Sequence, residues 1–168
     1  MLTAHAAAGY VVAKLFTHLK PQQLSNRCWA MFGLTSGLLP DIDMLYFYWV
    51  DLGKVHHHRY ISHWPIFWLV WLIISYFYWR KRPQQTYAAL ALLLGINGCI
   101  HLFLDTLVGD IWLFMPWIDK SFAFFTVPAL YKPWYWNFIL HWSFTFEISV
   151  WLLAIFMFFR TTKTKYAA

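Results

Sequence analysis

From Trp64 to Trp79 the chain reads WPIFWLVWLIISYFYW, an apolar run without one charged side chain, and it closes on Arg80-Lys81-Arg82. A second run, from about Thr86 to Val108, follows at once, and a third extends from about Asn137 to Phe159. Runs of this kind approach or reach the roughly 20 residues needed to cross a bilayer. They leave little room for a water-soluble fold. Two shorter, mixed segments precede them. One spans about Thr3 to Leu19 and is ended by Pro21; the other starts near Asn26 and breaks near Leu39, because Pro40 disfavours helix in the residue before it. The apolar stretch MLYFYWV follows that break. The expectation is an all-α, polytopic membrane protein of about five hydrophobic helices, forming a single membrane-embedded domain over residues 1–168, with the first two helices as a hairpin against the others.

Composition agrees. Residues are 61% hydrophobic and 12% charged, whereas soluble domains carry about 25% charged residues. The 12 Trp and 10 Tyr suit the membrane–water interface, where an apolar ring and a polar tip are both satisfied. The net charge of +6 and pI near 9.4 do not imply nucleic acid, because the basic residues lie between or after the apolar runs. Lys20 with Arg27, Arg80 to Arg82, and Arg160 with Lys163 and Lys165 are expected on the cytoplasmic side. That puts the C-terminus inside and the N-terminus outside; Lys54 and Arg59 fall outside, against the trend. Met1 to Ala13 lacks the basic start of a cleaved signal peptide, so the whole chain is read as mature. Cys28 and Cys99 show no paired spacing and read as small buried hydrophobes.

This topology was drawn from Lys and Arg alone, yet it carries His5, Asp41, Asp43, His56 to His63, His101, Asp105 and His141 to one face, with His18 at the other. His101 and Asp105 stand at i and i+4 and share a helix face. An Asp within a hydrophobic segment costs roughly 2.5–3.5 kcal/mol on insertion scales. A metal ion bound by imidazole and carboxylate offsets that cost, and so does a buried His–Asp hydrogen bond. Pro40-Asp41-Ile42-Asp43 reads either as a helix start with acidic caps or as oxygen ligands at a chain bend. In His56-His57-His58-Arg59-x-x-x-His63, His58 and His63 would lie about 140° apart on an ideal helix, so a turn before Pro65 must bring them together if both are ligands. His56 and His57 read as solvated, and the planar fork of Arg59 suits phosphate. Glu147, an acid within the last run, calls for a partner such as Lys14 or Arg59. No G-x-S-x-G, Walker A, dinucleotide or H-E-x-x-H motif is present, and no inverted halves appear.

The ordered elements His5, L-P-D-I-D (Leu39 to Asp43), H-R-x-x-x-H (His58 to His63) and H-x-x-L-D (His101 to Asp105) resemble the YdjM-like family of bacterial inner-membrane proteins, which is described as membrane-bound metal-dependent hydrolases. The tract from His101 through Gly109 to Met115-Pro116-Trp117 is also similar, and the resemblance covers about His5 to Pro128. The family often carries Ser after the second His of H-R-x-x-x-H; here Trp64 stands there, which removes that hydroxyl. Residues and resemblance together lead to a multi-pass inner-membrane protein and to a divalent metal ion, taken as zinc. Its ligands are drawn from His5, Asp41, His58, His63, His101 and Asp105, with Asp43 as a further ligand or general base and Arg59 stabilising charge on a phosphoryl oxygen. The expected activity is hydrolysis of a phosphoester in a lipid or other amphiphilic substrate. The alternative is a structural or transport metal site in a non-catalytic membrane protein. Neither substrate nor oligomeric state is written in the sequence.

Overall fold

The computed structural model describes residues 1 and 3–166, with side chains through residue 160, so the side chains of Lys163 and Lys165 lie outside the described residues. Among the described residues seven helices follow in order: α1 (Ala4–Leu15), α2 (Asn26–Gly37), α3 (Asp43–Trp49), α4 (Pro65–Lys81), α5 (Thr86–Val108), α6 (Tyr135–Ile139) and α7 (Phe144–Tyr166). Single 3₁₀ turns at Thr17–Leu19, Leu39–Ile42, His57–Arg59 and Ile61–His63 join them. Among the described residues there is no strand, only one antiparallel bridge between Ile111 and Phe122.

Local chemistry accounts for the boundaries. The Ser25 hydroxyl accepts the Cys28 amide at 3.0 Å and caps α2. Pro65 opens α4 at a position where its missing N–H costs nothing. Pro40 sits in the 3₁₀ turn that separates α2 from α3, so the expected break near Leu39 is present. The last run departs from expectation, being split into α6 and α7. The Asn137 side chain is the reason: its Oδ1 accepts the Leu130 and Tyr131 amides, each at 2.7 Å, and its Nδ2 donates to the Trp134 carbonyl at 2.9 Å. A side chain committed to a turn in this way competes with continued helix. Cys28 is exposed and Cys99 only partly buried, contrary to the reading of both as buried.

Among the described residues one helix, α5, is both long and apolar enough to cross a membrane, with 23 residues and a mean hydropathy of 1.9. Its length is about 35 Å, against about 30 Å of hydrocarbon. About five spanning helices are therefore not established by length and composition. α4 and α7 nonetheless leave large apolar side chains uncovered, among them Ile73, Ile74, Phe77, Leu152 and Phe156.

α1 lies at the centre, packed on α2, α5 and α7, while α4 packs on the outer side of α5. The α1–α2 crossing is backbone to backbone. A Cβ at Gly33 would fall 2.6 Å from the Gly9 carbonyl oxygen, and one at Gly37 would fall 2.4 Å from the His5 carbonyl oxygen. Gly33 and Gly37 thus form a small-x-x-x-small contact of the kind that lets membrane helices approach closely. Asn97 of α5 ties the pair down, donating to Ser36 Oγ at 2.6 Å and to the Gly33 carbonyl at 3.1 Å.

The bundle has two distinct ends. At one, Val12, Ala13, Leu19, Trp29, Ala89, Leu92 and Leu93 form an apolar core. There the Gln23 amide reaches the Gln84 carbonyl, and Lys14, Asn26 and Arg160 line one cavity of about 320 Å³. The three basic clusters of the sequence therefore meet at this end. The N-terminus of α1, the C-terminus of α2 and the C-terminal half of α5 meet at the other.

Candidate metal centre

α5 presents His101 and Asp105 on one face, and their Nε2 and Oδ2 atoms lie 3.0 Å apart. The 3₁₀ turn after α2 carries Asp41, whose Oδ1 is 3.5 Å from His101 Nε2 and 3.5 Å from His63 Nε2. His63 Nε2 is in turn 3.9 Å from Asp105 Oδ2. The two 3₁₀ turns at 57–59 and 61–63 supply the turn that the H-R-x-x-x-H spacing required. They bring the His58 and His63 rings to 4.6 Å and set His58 Nε2 3.7 Å from Asp105 Oδ2. His5, at the start of α1, stacks on His101 with ring centroids 3.7 Å apart, and its Nε2 is 3.0 Å from Asp105 Oδ1. The Met1 amino group also reaches Asp105 Oδ1.

The imidazoles are aligned by their other nitrogens. His63 Nδ1 pairs with Asp43 Oδ2 at 2.7 Å, His101 Nδ1 with the Gly37 carbonyl at 2.8 Å, and His58 Nδ1 with the Asp110 carbonyl at 2.8 Å. In each neutral ring Nδ1 must then be the donor, which leaves Nε2 as a bare lone pair directed at the Asp105 and Asp41 oxygens. This is the outer arrangement that metal-binding histidines use. His63 Nε2, His101 Nε2 and Asp105 Oδ2 are all buried and have no hydrogen-bond partner. Two ligands at about 2.0–2.2 Å from a tetrahedral ion lie about 3.3–3.6 Å from each other. The separations among these atoms bracket that range and mostly exceed a good hydrogen bond. The donor set therefore fits a divalent cation, and Asp41, His63, His101 and Asp105 can offer it one ligand atom each.

Electrostatics in the turns and at the start of α3 points the same way. Burial raises the Asp41 carboxyl, but His101 and His63 outweigh it and hold it below the usual carboxylate range. At Asp43 burial is likewise overcome by the neighbouring His57 and His63, leaving a value of about 2. Burial pushes His58 well below its usual 6.5, which keeps its lone pair available. Burial also lowers His63, yet Asp41 and Asp43 prevail and the net shift is upward, so this point of the pocket favours positive charge.

Of the residues singled out in the sequence, His5, Asp41, Asp43, His58, His63, His101 and Asp105 come together. Arg59 is turned away, ion-paired with Asp119 and lying over the Trp112 ring at 5.6 Å. His141 sits in the break before α7, bonded to Ser143 Oγ at 2.9 Å, and is not part of the cluster. Glu147 lies against the start of α1. Its Oε2 accepts the Thr3 amide at 2.5 Å, the Thr3 hydroxyl at 2.9 Å and the Ala4 amide at 3.1 Å, capping α1 just before His5. Sequence reasoning also passed over His57 and Ser62. The Ser62 hydroxyl donates to Asp43 Oδ2 at 2.5 Å, and His57 Nδ1 stands 3.7 Å from Asp43 Oδ1.

The family model of the YdjM inner membrane protein matches residues 1–167. The chain belongs to the YdjM family. Its working environment is accordingly a lipid bilayer. No curated protein and no solved structure matches the chain significantly.

Proposed function

We propose that this YdjM-family protein is a metal-dependent hydrolase acting on a phosphoester of a lipid or similar amphiphile, with zinc as the ion. The observation that carries the reading is the set of buried, unpartnered atoms, His63 Nε2, His101 Nε2 and Asp105 Oδ2, grouped with Asp41 around one point. When bound, zinc would lower the pKa of an attached water towards about 7. Asp105 and Asp41 supply the negative charge that holds the cation, and His63 and His101 the neutral nitrogens. Asp43 orients His63 through Nδ1, and Gly37 and Asp110 orient His101 and His58 through their carbonyls. His58 and His5 flank Asp105, where either would be within reach to serve as a further ligand. Arg59 is engaged by Asp119, so its service to a phosphoryl group requires that exposed pair to open.

The proposal extends to topology. α4, α5 and α7 cross the inner membrane together with the α1–α2 hairpin, as one domain. The end with the basic clusters and the C-terminus lies in the cytoplasm, and the metal centre lies at the outer face. Alkaline phosphatase fused at the C-terminus is expected to stay inactive; activity there would reverse the orientation. The function is tested by metal analysis of the purified protein followed by assay against phospholipids and lipid-linked phosphates. Metal-dependent release of phosphate or headgroup, abolished in Asp105→Asn, is expected. Stoichiometric metal with no turnover on any phosphoester would favour a structural or transport site.

A further inference from the structure

Beside the atoms assigned above, the structure leaves a second pair unexplained. Asp43 is buried, and its two oxygens differ in fate. Oδ2 is occupied by His63 Nδ1 and the Ser62 hydroxyl, while Oδ1 has no hydrogen-bond partner. His57 Nδ1 faces it at 3.7 Å and is likewise buried and unpartnered. That distance is too long for a hydrogen bond and lies just beyond the spacing of about 3.3–3.6 Å between two ligands of one tetrahedral ion, within reach of a small rotamer change. Asp43 and His57 therefore face a common point as co-ligands would. Asp41 and His63 each bring a ligand atom close to them, and both residues also belong to the group with His101 and Asp105.

We infer that the site is binuclear: a second divalent cation binds between Asp43 and His57, and the Asp41 carboxylate is shared by both ions. The inference rests on the metal centre proposed above and deepens it. His63 is the hinge between the two halves, presenting Nε2 to the first ion and holding Asp43 through Nδ1. Carboxylate-linked ions of this kind stand about 3.5–4 Å apart, a separation suited to clamping the attacking and leaving oxygens of a phosphoester. The stacked His56 and His57 rings, 5.3 Å apart, keep His57 turned inward from an otherwise solvated loop.

The test counts ions. Protein purified in detergent is stripped with a chelator, reloaded with zinc, passed through a desalting column and analysed for metal per chain. A parallel sample is loaded with Mn(II) for electron paramagnetic resonance. Two ions per chain and a spin-coupled Mn(II) pair are expected, with His57→Ala reduced to one ion and an isolated Mn(II) signal. One ion in the parent would overturn the second site and leave the single-metal reading intact. None would overturn both. Two uncoupled ions, or two ions retained in His57→Ala, would overturn the assignment to Asp43 and His57. The coupling measured in the parent decides the matter even if the variant fails to fold.

Discussion

Replacing Gly37 with Ala adds one methyl group at the point where α1 and α2 touch, and the structure sets its consequence. The new Cβ would lie 2.4 Å from the His5 carbonyl oxygen and 3.2 Å from the Gly9 Cα, where ordinary contact begins at 3.4 Å. Backbone is met on both sides, so the helices must part by about 1 Å at this end. Overpacking of this sort costs typically about 1–3 kcal/mol. The larger effect falls on the site. Gly37 supplies the carbonyl that orients His101, and the displaced carbonyl belongs to His5, which stacks on His101. Weakening one such supporting bond costs about 10–100-fold in metal affinity. Gly33→Ala meets the Gly9 carbonyl at 2.6 Å, one turn further from the centre. It should lose comparable stability with less effect on the ion. Thermal unfolding in detergent and competitive zinc titration against a chelating dye measure the two quantities separately. If Gly37→Ala keeps the zinc affinity of the parent, the carbonyl does not position His101 and the account of this crossing is wrong.

Asp105→Asn and Asp41→Asn should retain the helical content but bind zinc more weakly than any variant of a supporting residue, beyond about 100-fold. His18→Ala, in the turn after α1, should match the parent; parental zinc affinity in both Asn variants would leave helix packing as the better explanation of His101 and Asp105. Glu147→Ala removes three bonds to the start of α1 and should cost about 1.5–3 kcal/mol, read as a lowered unfolding temperature. An unchanged midpoint would show that α1 needs no cap. Zinc affinity should fall with falling pH. His63 is held above its usual 6.5 and must give up its proton to bind, whereas Asp43, at about 2, stays ionised throughout. Calorimetry at pH 6 in buffers of different ionisation enthalpy should therefore detect proton release that diminishes above the His63 pKa, and identical heats in all buffers would contradict this.

What could be read in advance was what the chain encodes locally. The α5 boundaries, Thr86 to Val108, follow from a long, mostly apolar run, and the pairing of His101 with Asp105 follows from the pitch of the helix. The need for a turn between His58 and His63 was visible in their spacing, and the structure meets it with two 3₁₀ turns. What local sequence hides is a side chain bonded to backbone or to a residue distant in sequence. Asn137 interrupts an apolar pattern that says helix. Asp119 occupies Arg59 from 60 positions away, and Glu147 reaches across to Thr3. His57 reads, with His56, as solvated because nothing in the local sequence shows Asp43 lying opposite it.

The segment between α5 and α6 carries a further consequence. It is nearly free of regular structure, exposes Phe114, Trp117, Phe124 and Leu130, and clasps the site end through the Asp110 carbonyl, the Asp119 carboxylate and the Phe124 amide bonded to Thr106. Irregular backbone is not tolerated against lipid hydrocarbon, because its unpaired amides need water. Exposed Trp and Tyr, in turn, resist leaving the headgroup layer for bulk solvent. On the topology proposed above, the segment would act as a float, setting the waterline of the molecule near Gly109, about one helical turn above Asp105. On the function proposed above, a phosphate on a neighbouring lipid would ride at that same level and would meet the metal-loaded site by sideways diffusion, with its hydrocarbon tails still in the leaflet.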